Sequence, residues 1–176
     1  AQFSAALFNA LRESGYSRMA VELSAVIAAD VEAAARRNGV QGIVDFLNAP
    51  GTFTFSNMRE EAQFLADVVK AAPKGERVLW GCDREIFSDR YLISRLDAKV
   101  PRGARPAFTR LQEASTNAWA KYEQTKNPDD LFFLSQDPAL VSAIRAAWPN
   151  PDRESDAVLP TIDGSLAIEA AERAGG

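Results

Sequence analysis

Hydrophobic positions in the first half of the chain change from helical to strand-like spacing and back. Three apolar residues at four-residue intervals open the sequence: Phe3, Leu7 and Leu11. This spacing predicts an amphipathic helix that ends at Gly15, because glycine readily adopts the left-handed cap conformation. Two largely apolar segments, 19–23 and 77–82, predict short buried strands.

Three further helices are predicted between these strands. An alanine-rich helix ends at the glycine stop Gly39, and a short helix follows over residues 40–47. Residues 52–55 alternate like a short extended segment. Asn57, with Glu60 three residues later, predicts a capping box at the start of the third helix.

The order of these elements indicates an α/β fold with parallel strands, and the rest of the chain is predicted to be helical. The predicted elements there are a helix capped by Ser88, a long helix over 106–126, a helix begun by Asp137-Pro138, a loop over 148–164 and a last short helix from Ser165. We therefore expect a helix-rich α/β domain over residues 1–176. Residues 1–100 would contain a small parallel sheet, and residues 101–176 would form a helical part.

Two strands are too few for an independent parallel sheet, because both edges would stay unpaired. The hydrophobic pattern also begins within a helix. We expect either that the chain is an incomplete part of a larger α/β module, or that its sheet gains strands from another copy or a partner. A homo-oligomer formed through unpaired sheet edges follows from the second alternative.

The composition and net charge of the chain indicate which classes of binding partner to expect. Of the 176 residues, 47% are hydrophobic and 25% charged, which is typical of a soluble globular domain. The net charge is -4 and no basic block could follow a phosphate backbone, so nucleic acid is not expected as a partner. No apolar run approaches the roughly 20 residues that span a bilayer, so no membrane is expected either. Nothing in the sequence indicates a cofactor.

The absence of histidine excludes several mechanisms. The chain alone cannot build a Ser-His-Asp triad, a Cys-His pair or a His-ligated zinc site. The single cysteine, Cys82, is predicted to be a small buried core residue. Trp80, Trp119 and Trp148 are predicted to lie in the core or in the wall of a cleft, and Asp163-Gly164 is typical of a turn.

Candidate catalytic residues stand at the ends of the two predicted strands, because ligands of open parallel sheets bind beyond the carboxyl ends of the strands. Glu22 interrupts the first apolar run and Asp83 follows the second. A buried carboxylate needs an arginine, a backbone donor or a ligand opposite it. The alternative to a catalytic role is a structural ion pair with Arg18, Arg59 or Arg84.

Candidate binding residues stand at the start of the third of these helices: Arg59, Glu60 and Glu61. A helix N-terminus attracts anions, and an arginine there would help to hold one. The alternative is that these residues are solvated charges at a helix end. A divalent metal held by carboxylates alone is conceivable, although no ligand spacing supports it.

Three segments resemble the erythromycin esterase-like superfamily, which also includes haem-uptake-related proteins: LFNALRESGYSRMAVELS, NMREEAQFLADVV and VLWGCDREIF. The match covers residues 7–83. In that family one strand ends in an acid, a later helix begins with acids, and the next strand ends in Gly-x-Asp. The matching positions are Glu22 for the first acid, Glu60 or Glu61 for the helix start, and Gly81 with Asp83 for the Gly-x-Asp.

The resemblance implies an α/β fold that hydrolyses an ester or lactone of a small-molecule substrate. In the family a histidine activates water and glutamates orient it, but that histidine precedes the first helix, and this chain contains none. Two alternatives stay open. In an esterase-like hydrolase, Glu22 and Asp83 would lie near one water or one base, and Arg59 would stabilise a developing oxyanion or recognise an acidic substrate. In a non-catalytic binding or assembly module, the same residues would form a structural ion-pair network.

Overall fold

Eight α-helices and two short strands make up the part of the chain that a computed structural model describes, residues 2–52 and 58–175 with the side chain of Gln2 excepted. The chain divides into two units, the first ending at Asp83 and the second beginning at Arg84. The helix at 89–97, predicted as part of the sheet-containing residues 1–100, belongs to the second unit. The helix-rich α/β fold class is confirmed. That the two units act as one domain stays a prediction.

The first unit contains three helices and a two-stranded parallel sheet among its described residues. Their order is α1 (Gln2–Glu13), β1 (Met19–Val21), α2 (Ala25–Leu47), α3 (Arg59–Ala71) and β2 (Leu79–Gly81). Met19 lies opposite Leu79, and Val21 lies opposite Gly81. This order confirms the predicted alternation of helices and strands, whereas the predicted extended segment lies, from residue 53 onward, outside the described residues.

The glycine stop predicted at residue 39 interrupts α2. Asn38 and Gly39 have non-helical backbone angles, and Gly39 has a φ of +56°, which glycine adopts without a Cβ clash. Beyond the break Gly42 packs directly on the backbone carbonyl of Ala34. Residues eight positions apart would be separated by about 12 Å in a straight helix. The second segment of α2 therefore folds back on the first, and the prediction of two helices is confirmed.

The core of the first unit lies between α2, α3 and one face of the sheet. Its buried apolar residues include Ile27, Ala28, Val31, Ile43, Leu65, Val68, Val69, Val78 and Leu79. From α1, Ala5 and Phe8 are buried, whereas the predicted apolar stripe is exposed, with Phe3 at 78%. The helix carries apolar residues around most of its circumference. α1 packs against α3 through the face that carries Ala5 and Phe8 rather than through the face of Phe3. The Arg12 guanidinium also donates a hydrogen bond to the Ala71 carbonyl at the end of α3.

The two strands are less buried than predicted. Met19 and Val21 are half-buried and Ala20 is exposed. In β2, Leu79 is buried but Trp80 is 44% exposed. A continuous apolar run is typical of a strand covered on both faces, whereas here one face, that of Ala20 and Trp80, is open to solvent.

The second unit is helical in all of its described residues that have regular structure. Its elements are α4 (Asp89–Asp97), α5 (Arg105–Thr125), a 3₁₀ turn (Pro128–Asp130), α6 (Phe132–Ser135), α7 (Ala139–Ala147) and α8 (Ser155–Arg173). Fully buried side chains include Leu92, Leu96, Phe108, Leu111, Phe132, Phe133, Ile144, Ile162 and Leu166. The helices predicted after Ser88, over 106–126 and after Asp137-Pro138 are confirmed, whereas α6 was not predicted.

The predicted loop over residues 148–164 is wrong from Ser155 onward, because α8 begins there. The Asp152 carboxylate accepts hydrogen bonds from the backbone N–H of Glu154 at 3.0 Å and of Ser155 at 3.2 Å, which caps the helix start. Three apolar residues of the supposed loop are buried: Val158, Leu159 and Ile162. Their burial outweighs the helix-breaking tendency of Pro160, so Asp163-Gly164 lies within a helix rather than in a turn.

Candidate functional site

The carboxyl ends of β1 and β2 meet at one edge of the sheet, here called the carboxyl edge and defined by residues 21–24 and 81–83. Backbone pairing continues past the strands at this edge. The Cys82 N–H donates to the Val21 carbonyl at 3.2 Å, and the Asp83 N–H donates to the Leu23 carbonyl at 3.1 Å. The structure therefore brings the backbones around Glu22 and Asp83 together, as the parallel arrangement predicts.

Gly81 makes this close approach sterically feasible. A Cβ at Gly81 would overlap the backbone carbonyls of Leu23 and Ser24. The glycine of the Gly-x-Asp segment thus has a packing role, because it lets the end of β2 lie against the start of α2. Asp83 follows two residues later and is half-buried.

Glu22 is exposed, so the prediction of a buried acid within a strand is wrong. β1 ends at Val21, and the Leu23 N–H donates to the Val21 carbonyl at 2.8 Å, which places Glu22 at the centre of a tight turn. The turn carries the side chain into solvent. No hydrogen bond or ion pair to the Glu22 carboxylate is found among the residues that the structure describes.

The predicted ion pair between Glu22 and an arginine is not formed in the described part of the chain. The Arg84 guanidinium pairs with the carboxylates of Glu169 and, at 3.1 Å, Glu172. The Arg18 guanidinium lies 4.4 Å from the centre of the Trp80 ring. The carboxylate of Glu22 is therefore exposed and available to a ligand, a water molecule or another chain.

Arg59, Glu60 and Glu61 occupy the first turn of α3. The Glu61 carboxylate accepts a hydrogen bond from the Met58 N–H at 3.3 Å, so this acid caps the helix. The capping predicted for Asn57 concerns a residue outside the described ranges. Arg59 lines a cleft of about 330 Å³ beside the second segment of α2. Among the described residues, no hydrogen bond or ion pair joins this helix start to Glu22.

Cys82 is exposed rather than buried as predicted, and Trp80 is exposed on the sheet rather than in the predicted core or cleft wall. Trp80 lies on the open face of the sheet between two arginines, and the Arg77 guanidinium is 5.7 Å from its ring centre. Cys82 follows β2 and its thiol lies 3.3 Å from the Val21 carbonyl. The placement predicted for the other tryptophans is confirmed, since Trp148 is buried and Trp119 is half-buried.

A buried acid that the sequence analysis did not single out holds α2 to the start of β2. Glu32 is 5% exposed. One of its carboxylate oxygens accepts hydrogen bonds from the N–H groups of Val78 and Leu79, both at 2.9 Å, and the other accepts from Arg36 at 2.7 Å. The available sequence signal was an acid on the apolar face of a helix with an arginine four residues later.

A second buried acid that sequence reasoning missed lies in the second unit. Asp89 is fully buried at the start of α4 and accepts hydrogen bonds from the Ser115 hydroxyl and, at 2.9 Å, from the Trp119 indole N–H. Burial raises the pKa of Asp89 above its ordinary value of 3.8, against the opposing effect of these hydrogen bonds and of the Arg90 charge. The sequence marked this segment only as a helix start.

The raised pKa makes the stability of the second unit depend on pH. Because folded Asp89 holds its proton more tightly than the unfolded chain, its contribution is fully present below pH 3.8 and is lost as the pH rises through the folded pKa. Asp89→Asn removes this titration. We expect the stability difference, variant minus wild type, to increase as the pH rises between about 3 and 7, measured by urea unfolding. A difference that stays constant or falls with pH would contradict the assignment.

The cleft with the larger volume, about 620 Å³, lies between α2 and α3. Small apolar side chains and three cations line it, the cations being Arg36, Lys70 and Lys74. It contains no residue of the carboxyl edge. Over the described ranges, no group of three or more acids or cysteines is arranged to hold a metal ion.

Comparison with known proteins yields no relative: no family model, curated protein or solved structure matches the chain. The resemblance to the erythromycin esterase-like superfamily therefore stays a prediction from sequence motifs. Within the described segments, none of the helices has both the length and the apolar composition needed to cross a membrane.

Proposed function

We propose that the chain is a hydrolase module of the erythromycin esterase-like type, which acts on an ester or lactone at the carboxyl edge. The observation that supports this proposal most strongly is the continued backbone pairing at Leu23 and Asp83, which brings Glu22 and Asp83 to the ends of adjacent parallel strands. Parallel sheets bind their ligands beyond this edge. The Glu22 carboxylate is exposed and has no hydrogen-bond or ion-pair partner among the described residues, so it can act on a bound water.

The proposed chemistry uses Glu22 as the general base in place of histidine. A water molecule attacks the carbonyl carbon of the ester while its proton passes to the Glu22 carboxylate. The tetrahedral intermediate then expels the alcohol, which takes up that proton, and the acid product leaves. Asp83 orients the water, while Arg59, Glu60 and Glu61 contact the substrate away from the reacting atoms.

Substitution of Glu22 tests this proposal directly. Glu22→Gln preserves the size of the side chain but removes the base, so we expect the hydrolysis of chromogenic esters or lactones to fall by roughly 100-fold or more. The substitution lies at an exposed position, so the melting temperature should not change. The measurement is kcat/KM for the best substrate of a panel of such compounds.

Glu13→Gln is the matched control, because Glu13 is an exposed acid at the end of α1. Its activity should equal that of the wild type. A rate for Glu22→Gln equal to that of the control would remove Glu22 from the mechanism. No turnover of any ester or lactone by the wild type would contradict the hydrolase proposal as a whole.

A non-catalytic assembly module is the second candidate, and the open face and edge of the sheet favour it. Ala20 and Trp80 are exposed on that face. Since the chain also lacks histidine, an assembly role accounts for the same structure without a reaction. Stable association without turnover would favour this candidate.

A further inference from the structure

The two outer edges of the sheet differ in what covers them. Parallel pairing with β1 leaves the N–H and carbonyl of Leu79 directed away from β1. The Glu32 carboxylate accepts from that N–H at 2.9 Å, and the Arg77 guanidinium donates to that carbonyl at 3.2 Å. Side chains of the same unit therefore already occupy both backbone groups of Leu79 on the outer edge of β2.

The outer edge of β1 is open. The Met19 N–H donates to the Val78 carbonyl, and the Val21 carbonyl accepts from the Cys82 N–H, so Met19 and Val21 face β2. The intervening Ala20 therefore directs its N–H and carbonyl outward. Ala20 is exposed, and no described residue forms a hydrogen bond with its backbone.

Opposite charges flank this open edge symmetrically. Arg18 precedes Ala20 by two residues and Glu22 follows it by two. Both side chains are exposed, and neither forms an ion pair with a described residue. Both residues lie just outside β1, Glu22 in the turn that follows it. In an antiparallel pair of two such segments centred on Ala20, each arginine would lie at the same end of the pair as a glutamate.

We propose that a second copy of this chain binds at the open edge, with the two β1 strands antiparallel and Ala20 opposite Ala20 of the partner subunit. The result is a four-stranded sheet with a two-fold axis at its centre. The two Ala20 residues exchange backbone hydrogen bonds, and Arg18 lies near Glu22 of the partner subunit at both ends of the pair. Charge complementarity selects this occupant over an unrelated strand.

Arg18 can form this pair without leaving Trp80. Its guanidinium carbon lies 4.4 Å from the ring centre. A guanidinium over an aromatic ring keeps N–H donors in its own plane for a carboxylate. The partner's Arg18 would then supply an arginine to the Glu22 carboxylate, which pairs with none in the described part of its own chain. This association goes beyond the proposed hydrolysis and does not depend on it. The ion pair would occupy the Glu22 carboxylate in the dimer, so the proposed hydrolysis belongs to the monomer.

The interface is small, so the dimer should be weak and its population should depend on concentration. A pair of short strands buries less than the roughly 1,200 Å² of a standard interface. Sedimentation equilibrium of the full chain up to about 0.5 mM should show a monomer–dimer equilibrium. A monomer at every concentration would overturn the proposal.

Exchanging the charges of Arg18 and Glu22 tests the antiparallel register of the two β1 strands. Arg18→Glu and Glu22→Arg each place like charges opposite one another at both ends, so each should weaken dimerisation by roughly tenfold or more. The double variant Arg18→Glu/Glu22→Arg restores both pairs in the antiparallel register and should dimerise nearly as well as the wild type. Arg37→Glu, an exposed charge reversal on α2, is the control and should have no effect.

This register would be overturned if the double variant did not recover dimerisation, or if neither single variant weakened it.

Disulfide formation gives an independent readout if a charge variant folds poorly. Ala20→Cys in a Cys82→Ser background should form an intermolecular disulfide rapidly, because directly opposite Cα atoms of such a pair lie about 5.5 Å apart. Slow formation, comparable to that of Ala25→Cys in the same background, would contradict the pairing. Neither readout measures hydrolysis, so the dimer and the hydrolase proposal can fail separately.

Discussion

Gly81→Ala should lower the free energy of unfolding of the first unit by about 3 kcal/mol, through overpacking against rigid backbone. The added Cβ would overlap the carbonyls of Leu23 and Ser24. These atoms belong to the main chain at the start of α2, so no side-chain rotation can relieve the contact. Amide hydrogen exchange over residues 19–23 and 78–83, together with urea unfolding, measures the effect on this unit.

Gly164→Ala is the control for the same type of substitution. Gly164 lies within α8, where an added Cβ meets no atom within 4 Å. Alanine favours the helix, so this variant should gain roughly 0.5–1 kcal/mol of stability. A Gly81→Ala variant as stable as the wild type would show that the carboxyl edge can open to admit the methyl group.

Glu32→Ala should also lower the free energy of unfolding of the first unit, by about 3 kcal/mol or more. The substitution leaves the N–H groups of Val78 and Leu79 without their acceptor in a buried position and leaves Arg36 without its carboxylate. Each unsatisfied buried donor costs about 1–3 kcal/mol. Exchange of the Val78 and Leu79 amides, and the midpoint of urea unfolding, report the loss.

Glu32→Gln separates charge from hydrogen bonding. It retains one acceptor oxygen for the β2 amides, so its stability should lie between those of the wild type and Glu32→Ala. Glu13→Ala, at an exposed position on α1, should change stability by less than about 0.5 kcal/mol. Equal stability of Glu32→Ala and Glu13→Ala would refute the role assigned to the buried carboxylate.

Local signals predicted most of the elements correctly because the same residues form them in any context. Gly39 interrupts α2 where its left-handed conformation was expected. The alternation of helices with two apolar runs also indicated the parallel pair of strands. These features depend on backbone preferences and on hydrophobic spacing within a few residues.

Features that depend on tertiary packing were predicted wrongly. α8 forms through Pro160 because Val158 and Ile162 are buried against other helices, which local propensity does not reveal. Phe3 and Trp80 are exposed because the sheet and α1 are each covered on one side. An apolar run alone does not specify how many of its faces will be covered.

The candidate site could be predicted only in part. Glu22 and Asp83 were predicted to lie at a common edge because the carboxyl ends of neighbouring parallel strands meet there. The exposure of Glu22 results from a turn that the apolar run 19–23 did not indicate. Arg36 is a local partner of Glu32, but the other hydrogen-bond partners of Glu32 and those of Asp89 lie 26 to 47 residues away in sequence, so no local pattern could connect them.

A double-mutant cycle on kcat/KM tests most directly whether Glu22 and Asp83 act in one hydrolytic site. The four proteins are the wild type, Glu22→Gln, Asp83→Asn and the double variant. If the acids act on the same water, the double variant should lose little more activity than Glu22→Gln alone. Losses that multiply as independent effects, or a wild type without turnover, would contradict a shared site.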